Sequence, residues 1–301
     1  MLHENPLGLP RSGSQVPPTM PRRGGPIVKR PIPNTRKVVV VASGKGGVGK
    51  STVSVNLALA LARYGRVGLL DLDIFGPSIP KLMGLEGVGE PELTKDGRLL
   101  PLVNHGLPCM SIGFLVPQDN NSAIVWRGLM VQKAVQQLLF DVDWRGHDDI
   151  QSGLDVLVID MPPGTGDVAL TLGQLVQVSG AVIVSTPQDV ALIDARKGVA
   201  MFRKVSVPIL GTILNMAYYT CYDCKPPSKH YVFGSPDSFV KATSEMGVPV
   251  LGQLPIVPYV SSGGDEGHPA ILGSSGAKSP QVAEVQGVIR SVAEAVWKQI
   301  N

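Results

Sequence analysis

Residues Gly44–Thr52 read GKGGVGKST and match the spacing G-x-x-x-x-G-K-[ST]. Before them stands KVVVVAS, residues 37–43, a continuous β-branched run of the kind found in strands buried on both faces. After them a Leu- and Ala-rich stretch from Ser51 to Tyr64 reads as a helix. Strand, glycine-rich loop and helix in that order constrain the chain to a phosphate-binding α/β unit. Small residues let consecutive backbone N–H groups curl around phosphate oxygens, and the helix N-terminus adds a favourable dipole. Gly44, Lys45, Gly46, Gly47, Val48, Gly49 and Thr52 form the expected cradle. Lys50 is expected to reach the β- and γ-phosphates of a nucleotide, and the Ser51 hydroxyl to bind Mg²⁺.

Further apolar runs at 66–73, 154–163, 180–187, 208–216 and 248–256 read as strands. Helical stretches lie between them, at Val125–Phe140, Asp189–Val205 and Pro236–Met246. A last helix places Val285, Val288, Ile289, Val292 and Val296 on one stripe. This alternation predicts an α/β fold, a single P-loop NTPase domain with a doubly wound, mainly parallel sheet over residues 37–301. A low aromatic content of 5% against 44% hydrophobic residues agrees with buried parallel strands. Residues 86–121 and 257–280 are rich in Gly, Pro and polar residues and are expected to be loops or lids. Residues 1–36 are expected to be a flexible basic segment, with Arg11, Arg22, Arg23, Lys29, Arg30 and Arg36 against the single acid Glu4. Such a segment reads either as a solvated tail or as the remnant of an organelle transit sequence.

Two carboxylate clusters belong with the loop. Asp71 and Asp73 close the second strand, one expected to face the nucleotide and the other to anchor structure. Asp160 ends a wholly apolar strand, where an acid is costly unless it meets a cation, as a Walker B aspartate does through Mg²⁺. Gly164 and Gly166 permit a mobile switch loop, and Asp167 is placed to cap its continuation. Pro255 and Ile256 lie beyond another strand end and are candidates to pack on the base.

Cys221 and Cys224 are spaced C-x-x-C, while Cys109 stands apart beside Met110 and reads as a buried thiol. Three cysteines exclude a disulfide framework and favour a reducing compartment. Two thiolates do not complete a metal shell. His230 is a candidate third ligand, although finger-type spacing is absent. A two-fold axis would bring two C-x-x-C loops together and supply four thiolates, enough for a [4Fe–4S] cluster or a bridging zinc.

The segments SGKGGVGKSTVSVNLALALA, GLLDLDIFGPSIPKLMG, VLVIDMPPGTGDVALTL and ILNMAYYTCYDC resemble the Mrp/NBP35 family of iron–sulfur carrier P-loop ATPases. VWRGLMVQKAVQQLLFDVDW is similar to its mitochondrial NUBPL branch, which acts in complex I assembly, and ENPLGLPRSG to that branch in filamentous fungi. The loop KGGVGKS matches the deviant Walker A of the MinD/nitrogenase iron-protein class. The resemblance implies a catalytic set of Lys45, Lys50, Asp73 and Asp160: Lys45 acting in trans on the partner's γ-phosphate, Asp73 orienting the attacking water. It places Asn215 at the position that hydrogen-bonds adenine. It further implies a homodimer that binds and hydrolyses ATP in the mitochondrial matrix. A [4Fe–4S] cluster would bridge Cys221 and Cys224 of both chains, received from an upstream donor and delivered to iron–sulfur subunits of complex I. YVSSGGDEGHPAI departs from the family's R-E-A-x-D-x-G-x-P pattern and lacks its arginine.

Two other readings share the P-loop. A membrane-associated partitioning ATPase like MinD would end in a basic amphipathic helix, whereas this terminal helix carries only Arg290 and Lys298 as basic residues. A non-catalytic nucleotide-binding assembly chaperone would not need Lys50, Asp73 and Asp160 together. A net charge of +3 does not call for nucleic acid, and no apolar run is long enough for a membrane span, leaving at most peripheral membrane contact.

Overall fold

The computed structural model describes residues 28–115, 128–145, 153–273 and 279–301. The apolar run that precedes the glycine-rich loop forms β1 (Thr35–Ser43), buried along its last six residues. The loop leads into α1 (Lys50–Leu61), whose residues from Val53 onward are buried all round. Then come β2 (Val67–Asp71), α2 (Ile79–Leu82), β3 (Leu102–Asn104), β4 (Leu107–Ser111), α3 (Gly128–Phe140), β5 (Leu154–Asp160) and α4 (Asp167–Leu175). The chain continues through β6 (Gly180–Ser185), α5 (Asp189–Lys204), β7 (Ile209–Leu214), β8 (Tyr219–Cys221), β9 (Ser228–His230) and α6 (Asp237–Met246). It closes with β10 (Val250–Gln253), α7 (Pro258–Asp265) and α8 (Pro280–Ile300).

Among the described residues eight strands make one sheet in the order β10-β7-β6-β1-β5-β2-β4-β3, in which only β3 runs antiparallel to its neighbour. The chain moves from β1 to β2 in one direction and from β6 to β7 in the other. Right-handed crossovers therefore put α1 and α5 on opposite faces. α8 packs beside α1, and α6 beside α5. Because the central strands are parallel, Ser43, Asp71, Asp160, Ser185 and Leu214 all end at one edge, where α/β folds bind ligands. β8 and β9 form a separate antiparallel hairpin beyond that edge.

Three expectations are corrected. Residues 86–121 are not only loop: β4 pairs with β2 in parallel, Leu69 opposite Cys109, and β3 covers the sheet edge. Within 257–280 the chain forms α7, and its glycines answer to packing: Gly263 approaches the His268 carbonyl and Gly264 the Leu82 side chain too closely for larger residues. The packed chain also starts before Lys37. Ile32 is 1% exposed, and the Arg30 N–H donates to the Leu175 carbonyl at 2.9 Å. The start of the helix expected at Val125 falls outside the described residues.

The stripe on α8 is buried: Val285, Ile289, Val292 and Val296 join the core, and Val288 packs against it. That face is already used by the protein itself. Among the described residues no helix is long and apolar enough to cross a membrane.

Candidate functional site

Gly47 and Gly49 both hold φ near +79°, the left-handed region that favours glycine. At Gly49 a Cβ would collide with the Asn215 side chain, and at Gly44 with the Asp194 backbone. The loop is thereby wedged against α5 and the exit of β7. The Ser43 hydroxyl donates to the Lys45 carbonyl at 2.9 Å and helps shape the turn. The Lys45 side chain is exposed.

Lys50 bends back onto the β5 terminus. Its Nζ is 2.8 Å from Asp160 Oδ1 and donates to Ser51 Oγ at 3.0 Å. The Ser51 hydroxyl donates to Asp160 Oδ2 at 2.6 Å, and the Ser54 hydroxyl to Asp160 Oδ1 at 2.6 Å. A carboxylate with no exposure is thus fully ligated by one cation and two hydroxyls. Ser54 was not foreseen. Its position one turn beyond Lys50, on the same helix face, is the signal that would have found it.

Asp71 and Asp73 separate, and Asp71 is the structural anchor. Asp71 is fully buried and accepts from the Asp73 N–H (2.9 Å), the Ile79 N–H (3.3 Å) and the Ser111 hydroxyl (3.1 Å). Burial, then the nearby Asp160 charge, pushes its pKa up to about 7. The strand ends at Asp71, so Asp73 lies in the following loop. Its carboxyl accepts from the Gly76 N–H at 3.3 Å and is raised by burial, with Lys50 opposing. Ser111 comes from β4, which the sequence did not disclose.

A cavity of about 450 Å³ is lined by Lys45, Lys50, Ser51, Thr52, Asp73, Lys81 and Asp265, while the buried Asp71 and Asp160 lie behind its lining. Gly46, Gly47 and Gly49 also line it, whereas Gly44 and Val48 do not. Gly164 takes φ of +89° and donates its N–H to the Ser43 carbonyl at 2.9 Å, joining the β5 exit to the loop. Asp167 is exposed at the start of α4. Asn215 and Pro255 do not line the cavity. Pro255 is buried, and the Asn215 amide donates to the Val48 carbonyl at 2.8 Å.

Six residues beyond Asn215 stands Cys221, on the β8–β9 hairpin. Cys221 and Cys224 are free and half-buried, and their sulfurs lie with a His230 ring nitrogen within 4.8 Å of one another. Hydrogen bonding from the Cys224 side chain, then from the backbone N–H groups of Cys224 and Asp223, holds the Cys221 thiol below its ordinary range. Cys109 is buried, as expected, and burial pushes its thiol up. The hairpin is clamped to α8. Tyr218 Oη donates to Glu284 at 2.9 Å, Gln281 donates to the Thr220 carbonyl at 3.2 Å, and Lys229 stands 3.8 Å above the Tyr218 ring. Glu284 and Gln281 carry no sequence signal, since their partners lie some sixty residues away.

A glycine-rich loop between strand and helix, its lysine and serine converging on the aspartate of a neighbouring strand end, defines a P-loop NTPase. The family model described as ParA, NUBPL iron-transfer P-loop NTPase, matches residues 34–293, and the chain belongs to that family. It is 50% identical to the mouse iron-sulfur cluster transfer protein NUBPL over 82% of this chain and 74% of that protein. It is 43% identical to an Arabidopsis thaliana iron-sulfur protein required for NADH dehydrogenase, mitochondrial, over 84% and 77%. A solved nucleotide-binding protein from Archaeoglobus fulgidus, in complex with ADP and with cobalt, is 32% identical with a TM-score of 0.65, over 83% of this chain and 92% of that one. MinD of Pyrococcus horikoshii with Mg-ADP, 22% identical with a TM-score of 0.60 over 87% and 96%, shares the fold.

Proposed function

We propose that this protein is a nucleotide-gated iron–sulfur carrier. A homodimer takes up a [4Fe–4S] cluster as cargo, held by Cys221 and Cys224 of both chains, and delivers it to subunits of respiratory complex I in the mitochondrial matrix. The relatives' roles in iron–sulfur transfer and in NADH dehydrogenase support the assignment of cargo and destination. The observation that carries the reading is the Asn215–Val48 hydrogen bond. It ties the nucleotide loop directly to the chain segment that leads, six residues on, to the thiol pair.

In this account Lys50 exchanges Asp160 for the β- and γ-phosphates of ATP. Ser51 Oγ and Asp160 Oδ2, 2.6 Å apart, are hard oxygen donors that suit Mg²⁺, which supplies charge neutralisation at the phosphates. Asp73 orients the attacking water. The exposed Lys45 reaches the partner's nucleotide, and Asn215 and Pro255 lie on the base side of the site. Nucleotide controls cargo only if it binds one dimer geometry better than another, and closure over Lys45 provides that difference.

Anaerobic iron–sulfur reconstitution of the wild type beside a Cys221→Ala/Cys224→Ala double variant tests the assignment. Wild type should hold about four irons per dimer and the variant almost none. Equal iron in both would sink it.

A further inference from the structure

We propose that one chain alone binds a zinc-type divalent ion through Cys221, Cys224 and His230. This site is separate in stoichiometry from a cluster shared by two chains. On the β8–β9 ribbon Tyr219 is paired with His230, and Cys221 with Ser228. Paired residues, and residues two apart on one strand, share a face. The imidazole therefore stands diagonally across from the Cys221 thiol on one side of the ribbon. The connecting turn carries Cys224 back to the same point, so that the three ligand atoms lie within 4.8 Å of one another.

A tetrahedral zinc with Zn–S near 2.3 Å and Zn–N near 2.05 Å separates its ligand atoms by roughly 3.5–3.8 Å. The observed spacing, within 4.8 Å, thus needs a contraction of at most about 1.3 Å, within the reach of side-chain rotation on a half-exposed turn. Two thiolates and one neutral imidazole balance a divalent charge. That donor set selects zinc, cobalt(II) or iron(II) over magnesium or calcium. The Ser228 hydroxyl, 3.0 Å from His230 Nε2, steadies the ring at the mouth of the pair. Three protein ligands leave a fourth position open, the arrangement of sites that exchange rather than of closed structural ones.

The inference does not depend on the carrier reading. Its consequence for that reading is competition, because a mononuclear ion and a bridging cluster use the same thiolates.

The test is an anaerobic titration of the full chain with cobalt(II), with sedimentation in parallel. Wild type should bind about one ion per chain as a monomer, with thiolate-to-cobalt charge transfer and ligand-field bands of tetrahedral strength. Outer-sphere partners of a metal site are worth roughly 10–100-fold in affinity, so a direct ligand should be worth at least that. His230→Ala should therefore lower affinity at least tenfold and change the ligand-field bands. His230→Cys should restore affinity with added charge-transfer intensity, and Cys221→Ser/Cys224→Ser should abolish binding. An unchanged affinity and spectrum in His230→Ala, or half an ion per chain found only in dimers, overturns the proposal. Iron–sulfur reconstitution of His230→Ala separates the two readings. A retained cluster with unaltered cobalt binding removes only the present inference. A cobalt site that behaves as stated, beside a wild type that takes up no cluster, removes only the carrier reading.

Discussion

Lys50 Nζ lies 2.8 Å from Asp160 Oδ1, with the two side chains 6% and 0% exposed. An ion pair this deep is weak evidence for stability, but removing one partner strands the other without solvent. Lys50→Ala should destabilise the nucleotide-free protein by roughly 3–5 kcal/mol in urea unfolding. Lys50→Met combined with Asp160→Asn should recover most of that loss. Both variants should lack ATP hydrolysis. A Lys50→Ala protein that unfolds at the wild-type midpoint would show that Asp160 is satisfied by Ser51 and Ser54 alone.

Asp71 gives stability a pH dependence of defined sign. Its folded pKa of about 7 stands above the unfolded value near 3.8. The folded state therefore binds the proton more tightly, and that stabilisation is complete below the unfolded value. It is lost as pH rises through about 7. Asp71→Asn cannot titrate. Its stability relative to wild type should rise between about pH 4 and pH 7, read as urea midpoints across that range. Parallel curves would exclude a raised Asp71.

The three thiols should alkylate in a fixed order. Hydrogen bonds keep Cys221 more acidic than an ordinary thiol, whereas burial does the reverse at Cys109. The thiolate is the reacting species. Peptide mapping after brief iodoacetamide treatment at neutral pH should find Cys221 modified first and Cys109 only after unfolding. Early labelling of Cys109 would contradict the packing of β4.

Lys45 in trans predicts complementation. Lys45→Ala and Asp73→Ala homodimers should each be inactive in hydrolysis. Mixed dimers contain one site with both groups intact and should recover activity at that site. No recovery after proven subunit exchange would return Lys45 to the role of a solvated loop lysine.

Much of this site was legible because its chemistry is local in sequence. The loop from Gly44 to Thr52, the apolar run ending in Asp160 and the Cys221–Cys224 spacing each carry their meaning within a dozen residues. The features that stayed hidden depend on partners far away. β4 is short, contains Pro108 and comes after the His105–Gly106 turn, so its pairing with β2 overrides a loop-like composition. The β8–β9 hairpin has strands of three residues each, too short for any period to register. Glu284 matters only because α8 passes under Tyr218 and Thr220. The Asn215 amide reaches the Val48 carbonyl across 167 residues, a tie that no local pattern announces.

The central claim is that two chains share one cluster. Native mass spectrometry of the anaerobically reconstituted protein measures chains and metal in one reading. The account predicts a dimer that carries about one [4Fe–4S] unit, which Cys221→Ala/Cys224→Ala lacks. A cluster retained on single chains, or carried equally by the double variant, would contradict it.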